Sequence, residues 1–262
     1  MSHYLTLPRP IAFFCRHFAG IRKGVGKRYI TAETIGCELQ HVKFPFNRTF
    51  MDEKRLVAIA CGAIEAEEIA MARRCLTKDD KLVEFGMGLG VAAALTNHAC
   101  QPLEHHCFEA NPAVIPYASN VFSLNRLDIR IHNKALGNGK VMPFFAVEDY
   151  MLSSFDRPEG RSDVSEISVP TIRIEEVLAQ FEPTALFCDI EGAELAYLDP
   201  AHLGTLRKII VKLHPDQYGE TRMADYISTF RDNGFNVVAK AGTSYLFVRS
   251  TYPPSAKSRS PV

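Results

Sequence analysis

Short apolar runs alternate along this chain with longer stretches of helical spacing. Leu82-Val83 ends in Glu84, residues 185–188 end in Asp189, and residues 208–213 end in His214. Runs of this kind read as strands buried on both faces, as parallel strands are. Further strands are read at 105–109, 128–132 and 141–147, and a final hairpin at 235–239 and 245–249 turns around Gly242. Helices are read at 11–18, over 51–75 with a break at Gly62, from the glycines after Phe85 to about Cys100, and at 115–125, 171–181, 193–198 and 221–233. Gly234 closes the last of these as a C-terminal cap. Residues 28–46 alternate loosely and suggest two short strands around 34–36, and 153–165 reads as polar loop. Strands alternating with helices predict an α/β domain. The order suggests a small N-terminal arm over 1–50, a main domain over 51–250 and a disordered tail over 251–262, rich in proline.

The most informative stretch is 81–94, Lys-Leu-Val-Glu-Phe-Gly-Met-Gly-Leu-Gly-Val-Ala-Ala-Ala. Gly86, Gly88 and Gly90 stand at alternate positions between a strand and a helix. Glycine permits positive φ and lets a ligand lie against bare backbone, and the following helix presents free N–H groups and a positive dipole end. The dinucleotide fingerprint is Gly-x-Gly-x-x-Gly. Here the third glycine comes one position early and Val91 takes its place, so the fingerprint is not met. An ordinary glycine-rich turn is the alternative to a ligand loop.

A second strand end carries Glu109, followed by Ala110-Asn111-Pro112. An acid at this distance from a glycine loop can accept both ribose hydroxyls of an adenosine, because a carboxylate takes two hydrogen bonds at once. An exposed strand-end acid with no ligand is the plain alternative. The loop after the third strand, 133–136 with Ala135, offers a place for an adenine ring. A third strand end reads Asp189-Ile190-Glu191-Gly192-Ala193-Glu194, and a fourth ends in Leu213-His214-Pro215. In an open α/β sheet these ends face one crevice. There His214 suits a general base, since its unperturbed pKa lies near neutrality. Asp189 suits a group that orients His214 or accepts a substrate proton itself. Asp189 and Glu191 could instead cap the following helix, where Glu194 reads as structural. Asp189, Glu191 and His214 could also hold a divalent ion, but no metal is assigned from so small a ligand set.

Composition narrows the class. The 262 residues are 47% hydrophobic and 23% charged, enough for one α/β domain with additions. Net charge is zero, which argues against nucleic acid or a lipid surface as the main partner. The seven cysteines form no Cys-x-x-Cys pair, which suggests a reducing cytoplasm, no disulfide framework and no structural zinc. His105 and His106 are adjacent in a strand and point to opposite faces. The apolar stretch at 11–15 is too short to span a bilayer.

Taken together, Glu84 with its glycines, residues 108–112, Asp-x-Glu-Gly-x-Glu at 189–194 and residues 213–215 resemble the FkbM family of S-adenosylmethionine-dependent methyltransferases. The resemblance covers about 60–249. It implies a Rossmann-like, class I methyltransferase fold: a seven-stranded, mostly parallel sheet with an antiparallel last strand. It implies cofactor contacts from Glu84, Gly86, Gly88, Gly90, Glu109, Asn111, Ala135 and Asp189. Glu65 joins them, because residues 62–65 resemble the stretch before the family's glycine loop, with Ile64 where an aromatic is usual. It implies catalysis by Asp189, Glu191 and His214, and methyl transfer to a hydroxyl of a sugar, glycan or polyketide. Lys212 stands where the family commonly carries an acid, and Met87-Gly88 replaces the usual Ala-Asn. A methyltransferase-like scaffold without chemistry and an NAD-dependent oxidoreductase are the competing classes. The N-terminal arm could mediate a homodimer.

Overall fold

The computed structural model describes residues 2–147, 149–150, 153–158 and 160–250. The tail expected to be disordered lies outside the described residues. Seven strands form the central sheet: β4 (Lys81–Phe85), β5 (Glu104–Phe108), β6 (Arg130–His132), β10 (Ala185–Cys188), β11 (Lys208–Lys212), β12 (Phe235–Ala241) and β13 (Ser244–Arg249). Their spatial order is β12-β13-β11-β10-β4-β5-β6. The five strands from β11 to β6 run parallel, while β13 is antiparallel to both of its neighbours. The strand order reverses between β4 and β10, so the crevice of an open α/β sheet falls at their carboxyl ends. This is the class I methyltransferase architecture that the resemblance implies.

Residue alternation along β4 divides the core. Leu82 packs with α5 (Val91–Cys100), α6 (Ile115–Leu124) and α4 (Ala66–Cys75) on one face. Val83 and Phe85 pack on the other, with α7 (Ile174–Phe181), α10 (Glu220–Asp232) and the β12–β13 hairpin. His105 and His106 do point to opposite faces, the first toward Glu84 and the second toward His132. The cysteines are free thiols, and among the described residues no helix is long and apolar enough to cross a membrane.

Residues 1–50 are more ordered than an arm. β1 (His3–Leu5), β2 (Thr34–Leu39) and β3 (Val42–Pro45) make a small sheet, flanked by α1 (Arg9–His17) and α2 (Arg22–Tyr29) and followed by α3 (Glu53–Ala60). Buried Leu5, Cys15, Val42 and Phe44 belong to the same core as α5 and α6. The β2–β3 turn lies at Gln40-His41, both at positive φ, rather than at 34–36. The other corrections fall between 137 and 181. β7 (Ala135–Leu136), β8 (Val141–Val147) and β9 (Val164–Ile172) form a three-stranded sheet. The expected polar loop therefore ends at Val164, and the helix read from 171 begins at Ile174.

The amino ends of the central strands are tied by Asp80, which is 1% exposed. Its carboxylate accepts from the Lys208 ammonium at 2.6 Å, the Thr184 hydroxyl at 2.8 Å and the Thr77 amide at 2.8 Å. Burial alone would raise its pKa, but these partners outweigh burial and hold it below the usual 3.8. Asp80→Ala leaves the half-buried Lys208 ammonium unpaired at the start of β11 and is expected to cost about 3 kcal/mol of unfolding free energy at neutral pH. The contribution is present above pH 3.8 and lost as pH falls through the depressed value, so the wild-type advantage shrinks in acid. Urea unfolding of both proteins at pH 7 and in acid checks this; equal stability at pH 7 contradicts it.

Candidate active site

The strand ends meet where the glycine loop predicts. Gly86 N donates to Phe108 O and Asp189 N to Phe85 O, each at 3.0 Å, so the loop after β4 lies between the ends of β5 and β10. Gly86 has φ +82, and a β-carbon there would stand 1.7 Å from the Asp189 carbonyl oxygen. No side chain fits. Gly88 and Gly90 also take positive φ, and a β-carbon on Gly90 would enter the Phe122 ring at 2.8 Å. Gly86 is therefore required by direct backbone approach and Gly90 by the Phe122 ring, while at Gly88 an added β-carbon would meet Tyr150 at 3.2 Å and strain the positive φ.

The loop floors a cavity of about 910 Å³, counting its open mouth. Glu65, Glu109, Ala110, Ala135, Leu136, Asp189 and Glu191 line it with the glycine loop, and Tyr150 and Phe155 cover it. Of the residues read from sequence, Gly86, Gly88, Glu65, Glu109, Ala135, Asp189 and Glu191 therefore face one space. Glu109 accepts from Gly88 N at 2.7 Å and from Asn111 N at 2.8 Å. Burial pushes this carboxyl up, and the donated amides pull it back. A carboxylate has about four acceptor sites, so two remain for a ligand. Glu65 sits at φ +49 before α4, and its carboxylate accepts from Ala92 N at 3.1 Å. It thereby caps α5 from another element and occupies the positive helix end that a ligand anion would otherwise take. Burial and the neighbouring Asp189 raise its pKa well above the ordinary value.

Two predicted cofactor contacts lie outside the cavity wall, as does Gly90 at the start of α5. The Asn111 side chain accepts from Ala113 N at 3.0 Å and so closes its own turn. Glu84 points under the loop to His105, with 3.2 Å between carboxylate and Nε2. Its place in β4 explains this: the even positions of the strand face the core of α4 and α5. Burial pushes Glu84 up to about 8 and His105 down to about 3, so at neutral pH this contact joins two uncharged groups. Cys107 completes the cluster, its thiol likewise raised by burial.

The second constellation joins the cavity through Asp189 and Glu191, which line it; His214, read from sequence as the base, and its neighbours Glu194 and Lys212 are not part of the lining. His214 Nδ1 lies 2.8 Å from Glu194 Oε1, and Nε2 lies 3.4 Å from Asp189 and 3.5 Å from Glu191. Nε2 is buried and has no well-formed hydrogen bond. Lys212 Nζ sits 3.0 Å from Asp189 and 3.8 Å from Glu191. Burial opposes both cations, but the carboxylates outweigh it and raise the Lys212 and His214 pKa values. Asp189, Glu191 and His214 offer donor atoms within 4.8 Å of one another, as a metal site would. The Lys212 ammonium already supplies a cation among them. Glu191 holds φ +50 and Gly192 φ +99, the bend that brings the acids together ahead of α8 (Glu194–Tyr197). Four members of the site are not picked out by the sequence. Glu194 reads as structural, though its spacing one turn after Glu191 is visible. Lys212 reads only as a departure. Tyr150 and Phe155 fall in the segment with no legible pattern.

A family model described as the methyltransferase FkbM domain matches residues 88–237. The chain belongs to the FkbM methyltransferase family. Its cofactor is accordingly S-adenosylmethionine, and the cavity fits it: side-chain-free backbone at Gly86 and Gly88, spare acceptors on Glu109, and an apolar slot at Ala135 and Leu136. A search of curated proteins returned no match. Several solved structures are similar. The ribosomal protein L11 methylase of Lactobacillus delbrueckii subsp. bulgaricus is 13% identical, with 70% of this chain and 75% of that one covered and a TM-score of 0.44. M. jannaschii TYW2 in complex with AdoMet is 11% identical, with coverage of 85% and 90% and a TM-score of 0.45. The precorrin-6y C5,15-methyltransferase of Geobacter metallireducens GS-15 is 11% identical, with coverage of 78% and 92% and a TM-score of 0.41. At these values nothing about the acceptor of this FkbM methyltransferase follows.

Gly86→Ala tests the packing on which the cavity rests. The added carbon must push β4 and β10 apart, because what it meets is backbone. The expected result is a loss of about 3 kcal/mol or more in unfolding free energy and at least about tenfold in cofactor affinity. Urea unfolding with calorimetric titration measures both, and wild-type values would contradict the geometry.

Proposed function

We propose that the protein transfers a methyl group from S-adenosylmethionine to a hydroxyl oxygen of a sugar, glycan or polyketide-type acceptor, with His214 as the general base. When bound, the cofactor supplies the electrophilic sulfonium methyl. The observation that carries the reading is His214 itself: one ring nitrogen is pinned by buried Glu194, and the other makes no hydrogen bond but lies 3.4 and 3.5 Å from two carboxylates that line the cavity. With Nδ1–H donating to Glu194, the Nε2 lone pair is free to accept a proton. An alcohol is a weak nucleophile and benefits from such a base. In this reading Asp189 lines the reaction space, Glu191 and Asp189 receive the acceptor hydroxyl, and Lys212 holds both acids in place. Glu65 and Glu109 hold the cofactor with the backbone of Gly86 and Gly88. A second, more open cleft adjoins the cavity at Ile64 and at the Asp149–Tyr150 segment, lined by Arg22, Arg48, Lys54 and Arg55. We take it as the approach for the acceptor.

Because its pKa is raised, His214 is mostly imidazolium below its folded-state value and becomes the base form above it. The rate of methyl transfer should therefore rise with pH through a midpoint above 6.5, the ordinary imidazole value. His214→Asn should lower kcat by about 100-fold or more and remove this rising limb, while S-adenosylmethionine still binds. An unchanged pH profile in the variant would exclude His214 as the base.

A further inference from the structure

Zero net charge conceals a strong asymmetry. Residues 1–32 carry Arg9, Arg16, Arg22, Lys23, Lys27 and Arg28 and not one acid, so the remainder of the chain is net acidic. The same segment carries an exposed apolar surface. On α1, Ile11, Ala12 and Cys15 face the protein, and Cys15 is fully buried. Phe13 and Phe14 face outward at 58% and 52% exposure. Phe18, at the end of the helix, is 57% exposed, and Ile21 joins them at 42%. The rings form one cluster: Phe13 meets Phe14 edge to face, and Phe14 stacks on Phe18.

The support beneath this cluster is fixed. The Arg22 side chain donates to Cys15 O at 2.8 Å and Arg16 O at 3.2 Å, closing the carboxyl end of α1 and binding it to α2. In α2, Gly26 lets the helix approach α3 closely, where an added β-carbon would sit 3.2 Å from Glu53 Cβ. Arg9, Arg16, Lys23, Lys27 and Arg28 remain exposed around the aromatic cluster. A helix with outward aromatics, in a segment whose own charges are all positive, has the character of an interfacial helix. Its rings can enter the acyl boundary while the flanking cations meet anionic headgroups, and each cation near such a surface adds to the attraction.

We propose that α1 and α2 dock this protein on an anionic lipid surface, with Phe13, Phe14 and Phe18 inserted and Arg9, Arg16, Lys23, Lys27 and Arg28 against the headgroups. The chemistry favours lipid over a protein partner on two counts. The apolar element is a cluster of outward rings rather than a groove for a partner helix, and the charges carried by α1 and α2 themselves are all positive. The binding is independent of the methyl-transfer reading.

The test is flotation of the full chain with phosphatidylcholine vesicles, with and without phosphatidylglycerol, at low and high salt. Binding is expected only to the anionic vesicles and weaker at high salt. Phe13→Ser/Phe14→Ser/Phe18→Ser and, separately, Arg9→Glu/Arg16→Glu should each reduce it by at least about tenfold. Unchanged thermal melting and S-adenosylmethionine affinity in both variants show that the fold survives, since these side chains are exposed. Absence of anionic-vesicle binding by the wild-type chain overturns the proposal. So does a dimer in solution that the phenylalanine variant dissolves, or binding of single-stranded RNA in preference to vesicles.

Discussion

Two backbones approach each other at the switch point of the sheet with nothing between them. Gly86 lies against the Asp189 carbonyl so closely that a single β-carbon would collide. That contact places the glycine loop over β10, turns the Asp189 side chain toward the cavity, and leaves room for Glu109 to reach Gly88 from the far side. The cavity is thus made by what the strand ends lack as much as by what they carry. Its distant counterweight is Asp80, which holds the opposite ends of β4, β10 and β11 with one buried carboxylate. Parallel strands clamped at one end and closely packed at the other give a rigid floor, the condition for positioning two reactants.

The site concentrates acids. Glu65, Glu84, Asp189, Glu191 and Glu194 stand within reach of one another's fields, and burial with mutual repulsion raises the pKa of Glu65, Glu84 and Glu191. Different solutions relieve the strain of so much like charge. Glu84 stays protonated under the loop, Glu65 leans on the positive end of α5, and Lys212 and His214 stand beside Asp189 and Glu191, their pKa values raised by these acids. The Lys212 ammonium lies 3.0 Å from Asp189 and 3.8 Å from Glu191, two of the three groups whose donor atoms lie within 4.8 Å of one another.

Most of the sheet was legible because buried parallel strands are short apolar runs ending in chemistry, and 185–189 and 208–214 have no competing pattern. Glu109, Asp189 and the glycines could be read for the same reason, since a strand end fixes where its last side chain lies. The misreadings have equally local causes. β9 is polar at Ser165, Glu166 and Ser168 without a regular alternation and contains Pro170, so it mimics loop, and Thr171 then passes for a helix start. α2 contains two glycines that suggest breaks, yet Gly26 serves close packing on α3. The Gln40-His41 turn uses positive φ without glycine. The direction of Glu84 and the partners of Glu194 and Lys212 depend on contacts more than 15 residues apart in sequence, which no local pattern encodes.

The aromatic and basic face at α1 adds a different layer, since charge averaged over the whole chain hides it. Arg22 both closes α1 and lines the cleft beside the cofactor cavity, so the two surfaces are neighbours in the fold. The central claim remains that the strand-end cavity holds S-adenosylmethionine with Glu109 on its ribose. Calorimetric titration with S-adenosylmethionine, S-adenosylhomocysteine and NAD, on the wild-type chain and on Glu109→Ala, tests it most directly. Micromolar binding of the first two, absent for NAD and weakened by at least about tenfold in the variant, is the predicted result. Binding of NAD alone, or affinity for S-adenosylmethionine indifferent to Glu109, would contradict it.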